Sequence, residues 1–238
     1  MGRVAAAFAA FALAAPAPAS AEPVRARLEL DVALTAGLLG SLAVGRIVQE
    51  DLAPTRCRWC GGNGLDSPIR EGLVWSDPSD AAPISDVMAA AIVPVAALGV
   101  LALGAWQEDE TDEIPIDLLL VAEAVSAAMF LNGVVKLAVG RQRPYATAGE
   151  ARGDDDNLSF FSGHTALTFS TVVACATIAS LRRRKTAPWI LAIGLPLAAA
   201  VGWLRIAADR HWATDVGTGA VLGAAFGFAI PWVFHGPA

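Results

Sequence analysis

The segment SGHTALTFSTVVACATIASLRRRK, Ser162 to Lys185, sets a polar tripeptide, an uncharged apolar run and a block of cations end to end. As a helix, Thr165 to Leu181 would be about 25 Å long, close to the roughly 30 Å hydrocarbon layer of a membrane. Ser162 stands where a helix N-cap belongs. Arg182-Arg183-Arg184-Lys185 is the densest basic run, and the positive-inside rule assigns such a short loop to the cytoplasm. The whole chain agrees with a membrane reading: of 238 residues 55% are hydrophobic and only 17% charged, with a mean hydropathy of +0.52. A net charge of −6, with cations only in small clusters, argues against a nucleic-acid partner.

Working outward, the apolar runs Ile84–Trp106, Ile114–Val139, Pro188–Leu204 and Val216–Val233 read as further spans. Pro94 predicts a kink in the first, and Asp117 and Glu123 interrupt the second. Gly219, Gly223 and Gly227 recur at every fourth position of the last, a spacing that lets helices approach closely within one molecule. The fold class is therefore all-α, an integral membrane bundle of five or six transmembrane helices, with residues 84–238 as its core.

The N-terminal third is read separately. Residues 1–21 carry Arg3, an apolar run and Ala19-Ser20-Ala21, the pattern of a signal peptide cleaved after Ala21. In Leu28–Val48 only Val32–Gly45 is free of charge, about 20 Å of helix, which is short for a span. Cleavage would put the mature N-terminus outside, so a spanning Leu28–Val48 would invert every later loop. A helix on the outer interface followed by five spans resolves this; the other arrangement keeps an uncleaved N-terminus inside and has six spans. Both leave the loops of Arg143–Ser162 and Arg205–Asp215 outside. Residues 22–83 comprise this helix and a Gly- and Pro-rich loop, Gln49–Pro83, expected to have little regular structure. Its Cys57 and Cys60 suggest a small disulfide in an oxidising compartment, since two cysteines without a neighbouring histidine make no zinc site. Cys175 reads as a buried apolar residue.

Three clusters remain at the ends of the spans. Lys136 and Arg143 would share a face if the helix continued through both, offering a point charge and a planar fork to phosphate oxygens before Pro144 ends the helix. Ser162-Gly163-His164 opens a helix, where free backbone N–H groups attract anions. His211 and Asp215, four apart, would set a carboxylate beside an imidazole and leave its other nitrogen free as a nucleophile, with Arg205 as a further oxyanion donor. Asp154-Asp155-Asp156 reads as solvated loop.

Together, Lys136-x6-Arg143-Pro144, Ser162-Gly163-His164 and Arg205-x5-His211-x3-Asp215 resemble the three-part signature of the type 2 phosphatidic acid phosphatase superfamily. That superfamily shares its site with vanadium-dependent haloperoxidases. The resemblance implies that His211 is a nucleophile forming a phosphohistidine, Asp215 its orienting partner and His164 the general acid. It also implies that Lys136, Arg143, Ser162, Gly163 and Arg205 bind phosphate, with no metal and no cofactor. Phe161 replaces the usual Pro of the second motif, and Leu204 the usual Ser or small residue before Arg205. The substrate implied is a lipid phosphomonoester or pyrophosphate at the outer face of a bacterial-type cytoplasmic membrane, towards the periplasm or cell exterior. Phosphotransfer to an acceptor hydroxyl and non-catalytic lipid-phosphate binding are the alternatives.

Overall fold

Apolar runs in lipid must satisfy their backbone hydrogen bonds internally, and those of the described residues do so with helices. The computed structural model describes residues 24–150 and 152–236, so the expected signal peptide lies outside the described residues. We label its principal helices α1 (Leu28–Ile47), α2 (Asp66–Leu73), α3 (Pro78–Gln107), α4 (Ile114–Val139), α5 (Gly163–Leu181), α6 (Ala187–Ala207) and α7 (Ala213–Phe234). All but α2 belong to segments long and apolar enough to cross a membrane. A π-helical turn, Met88–Ile92, falls just before Pro94 in α3, and another, Ile230–Phe234, ends α7. Pro94 lacks the N–H an unbroken helix would use, which explains irregularity at the kink expected there.

Helix α5 is the centre. It packs against α3, α4, α6 and α7, and its buried residues are mostly Ala, Val, Thr and Ser. Small side chains suit a bundle in lipid, where close backbone approach and dispersion replace the hydrophobic drive. The glycine series of α7 lies on this contact. A Cβ at Gly219, Gly223 or Gly227 would come within 2.6 Å of the carbonyl oxygen of Ser162, Ala166 or Ser170, respectively. These glycines are therefore used inside the molecule.

The charges that interrupt α4 are sheltered. Asp117, 1% exposed, accepts from Arg182 and from Arg184, and Arg182 also reaches Glu113 at 2.7 Å. The basic run after α5 thus folds onto the acidic start of α4, joining the two loops that alternation assigns to one side. Helix α1 packs along α4, and its Asp31 is buried there. One of the charges that bracketed its uncharged core faces protein, and by length and composition α1 joins the helices able to span, six in all among the described residues.

The segment Gln49–Pro83 is more ordered than its composition suggested. Cys57 and Cys60 form a disulfide, Gln49–Leu52 is a short helical turn, and α2 and the start of α3 occupy the rest. Trp59 forms an isolated bridge with Arg141.

Candidate active site

The ends of α4, α5, α6 and α7 that carry the three clusters meet at one end of the bundle. Helix α4 does not run on to Arg143, contrary to expectation. Gly140 adopts φ +58° as its C-cap, a left-handed conformation that glycine takes without steric cost and that ends the helix. Arg141 to Arg143 are then extended, and Pro144 begins a short helix, Pro144–Thr147, instead of ending one. The break brings Arg143 to the site from a loop. Its Nη1 donates to the Arg210 carbonyl oxygen at 3.0 Å and lies 3.3 Å from His211 Nε2, while Nη2 pairs with Asp155 at 2.7 Å. Asp155 is thus a partner of the site, where the sequence suggested only solvated loop. Burial would raise its carboxyl, but Arg143 and Lys136 outweigh that and hold it below its ordinary value. Lys136 Nζ donates to the Leu158 carbonyl oxygen.

Ser162 is the N-cap residue of α5, but its hydroxyl bonds no backbone N–H there; it accepts from Thr165 Oγ1 at 2.9 Å. Its own N–H donates to the Asp215 carbonyl oxygen at 3.0 Å, tying α5 to α7. Gly163 sits against Asn132, whose Oδ1 would be 2.9 Å from an added Cβ. Asn132 in turn donates to the Phe161 carbonyl oxygen at 2.7 Å, fixing the loop that enters α5.

His211 lies in the loop before α7, not on the helix, and Asp215 is in that helix's first turn. His211 Nδ1 faces Asp215 Oδ2 at 3.5 Å, and Nε2 faces Arg143. Such separations are common before substrate tightens a site. Burial pushes the His211 imidazole well below its ordinary value, with Arg143, Lys136, Arg205 and His164 acting in the same direction. At neutral pH His211 is therefore the free base, with a lone pair to offer. Opposite it, His164 Nε2 and Arg205 Nη1 each lie 2.9 Å from Asp86 Oδ1, so a carboxylate oxygen bridges two groups suited to a phosphate.

Sequence reasoning missed Arg141, Asp66, Ser159 and Asp86. Arg141 is 0% exposed; its Nη1 donates to Asp215 Oδ1 and to Thr214, its Nη2 to Asp66, and its guanidinium stacks 3.8 Å from the Trp59 ring centroid. Ser159 and the Trp212 N–H occupy Asp215 Oδ2. Burial would raise the Asp66 carboxyl, but the Thr214 N–H and Arg141 outweigh it and hold it low. From α2, Arg70 grips Asp209 with two bonds of 2.6 and 2.7 Å, steadying the loop before His211. The sequence signal available was Arg141 lying two residues before Arg143.

Residues 117–237 match the profile of the PAP2 superfamily. Over 118 residues the chain is 36% identical to a lipid A 1-phosphatase of Porphyromonas gingivalis, a match covering 48% of this chain and 24% of that relative. The chain thus spans about a quarter of the curated relative it matches. In three dimensions it is similar to a transmembrane PAP2-type phosphatidylglycerolphosphate phosphatase from Bacillus subtilis. That likeness has a TM-score of 0.52 at 19% identity and covers 86% of this chain and 94% of that one. At this identity the likeness speaks for the fold.

Proposed function

The chain belongs to the PAP2 superfamily, and on that premise we propose that it is a membrane lipid phosphatase working through a phosphohistidine. The observation that carries this is the buried, neutral His211, with Nδ1 toward Asp215 and Nε2 beside the Arg143 guanidinium. His211 Nε2 attacks phosphorus as the bond to the lipid oxygen breaks, and His164 gives that oxygen a proton. Water then attacks the phosphohistidine and passes a proton to His164, releasing inorganic phosphate and restoring both imidazoles. Lys136, Arg143, Arg205, Ser162 and the Gly163 N–H hold the remaining oxygens and stabilise their charge in the transition state. Asp215 keeps the proton of His211 on Nδ1, so that Nε2 is the attacking atom.

Helix ends at the membrane face allow a headgroup to enter while its chains stay in the bilayer. The relatives named above act on lipid A and on phosphatidylglycerolphosphate, so the proposed substrate is a lipid phosphomonoester or pyrophosphate. The cation-rich loop after α5 orients the site outwards, towards the periplasm of a bacterial cytoplasmic membrane. Phosphate release by the purified protein should be measured over a panel of lipid phosphates and pyrophosphates, with vanadate and an acceptor alcohol as added arms. Release of inorganic phosphate blocked by vanadate supports the reading. Equal turnover by a His211→Ala variant would sink it, and phosphorylated acceptor in place of phosphate would make the protein a transferase.

A further inference from the structure

We propose that Asp31, Glu123 and His235 form a site for one divalent transition-metal ion, which clasps α1 and the end of α7 to the middle of α4. Each of the three offers a ligand atom, and these atoms all lie within 4.8 Å of one another. The side chains are buried, at 3%, 7% and 3% exposed. His235 Nδ1 lies 2.8 Å from the Arg25 carbonyl oxygen, which can only accept. That bond fixes the proton on Nδ1 and leaves the Nε2 lone pair facing the carboxylates, as in a metal-bound histidine.

Nε2 and Glu123 Oε2 are 3.4 Å apart, and neither has a hydrogen-bond partner among the described residues. Two donors about 2.1 Å from a tetrahedral zinc would themselves stand about 3.4 Å apart. Charge points the same way. Two buried carboxylates face one imidazole, and among the described residues neither has a Lys or Arg in ion-pair range. By contrast Asp117, the other buried carboxylate of α4, has two arginines. Even with His235 protonated the cluster keeps a net negative charge in a low-dielectric setting, where an unbalanced charge is costly. A divalent ion with neutral His235 balances it. Mixed carboxylate and imidazole donors suit Zn²⁺, Mn²⁺ or Fe²⁺. Thr35, one turn along α1, buries a further hydroxyl that has no partner among the described residues.

Glu123 and Lys136 are thirteen residues apart on α4, about 20 Å along the helix axis, so the ion takes no part in phosphate chemistry. Its role is to hold α1 and the end of α7 against α4. Only Asp31 and Thr35 of α1 are buried. The segment before it is already stitched to the C-terminus by Arg25 N–H to the His235 carbonyl oxygen at 2.9 Å and Arg25 Nε to that of Gly236 at 2.6 Å.

The test uses the full chain purified in detergent. Elemental analysis should find about one equivalent of metal, and cobalt(II) should give a visible ligand-field band. Saturating zinc, at a hundredfold excess over its Kd, should raise the melting temperature of stripped protein by about 5–10 °C. Glu123→Gln and His235→Gln should lose all three responses, while His211→Ala keeps them. Asp31→Asn serves if either of the first two fails to fold. Retention of no metal, with no cobalt band and no shift with zinc, would overturn the proposal. A melting temperature that follows pH but not metal would also overturn it, by showing that a proton alone bridges Glu123 and His235.

Discussion

Replacing Arg141 with Met tests whether the network beneath His211 is what holds the site. Methionine keeps much of the volume but removes the charge shared by Asp66 and Asp215, all three groups being 0% exposed. Breaking a buried ion pair from one side costs about 3–5 kcal/mol, because the partner stays buried and unpaired. Here two carboxylates lose the cation they share and keep only neutral donors, and the stacking of the guanidinium on Trp59 is lost as well. For a chain of this length each kcal/mol corresponds to about 2–4 °C, so Arg141→Met should lower the melting temperature by about 6–20 °C. Turnover of a lipid phosphate should fall about 10- to 100-fold, the usual scale when an outer partner of a reacting group is removed. Adding Asp66→Asn should recover part of the stability but not the activity, since Asp215 still lacks its donor. Arg141→Lys should be intermediate, because an ammonium cannot fork between Asp66 and Asp215. The assays are thermal unfolding in detergent and kcat/KM at a temperature where each variant is folded. An Arg141→Met protein that melts within a degree of wild type with unchanged kcat/KM would refute the reasoning.

Because burial and the surrounding cations depress His211, and the proposed mechanism needs its free base, kcat/KM should fall with acidity below the ordinary imidazole value of about 6.5; a nucleophile limb at or above that value in the pH profile would contradict this. Asp86→Asn removes the negative charge shared by His164 and Arg205, so inhibition by vanadate should strengthen several-fold, and weaker inhibition would show that the carboxylate helps to hold the anion. Gly223→Ala drives a Cβ to 2.5 Å from the Ala166 carbonyl oxygen and should cost about 1–3 kcal/mol, whereas Gly217→Ala, which meets nothing within 4 Å, should be neutral or stabilising in the same melting experiment.

The spans were legible because hydropathy and length decide them almost alone: Ile114–Val139 was read to its observed bounds. The three clusters were legible because each sits where an apolar run ends, and ends of successive helices must share a membrane face. What escaped was whatever depends on partners far apart in the chain. Arg141 received no reading of its own, and its partner Asp66 lies 75 residues away in a loop of low apparent order. Asp31 and Asp117 counted against their spans, whereas in the structure Asp31 is buried and Asp117 is paired with Arg182 and Arg184. The helix drawn through Arg143 stops for a local reason, at Gly140, whose left-handed conformation caps α4. Cys57 and Cys60 were paired on spacing, and the structure joins them.

The bonds of Arg141 also bear on the order in which the protein becomes competent during synthesis. Asp66 leaves the ribosome before Arg141, and Asp215 long after it, on α7. A nascent chain that ends before α7 carries the guanidinium paired on one side only, without His211 and without the glycine face on which α5 seats. Under the proposed mechanism, hydrolytic capacity would therefore await insertion of α7, whose first turn carries Asp215.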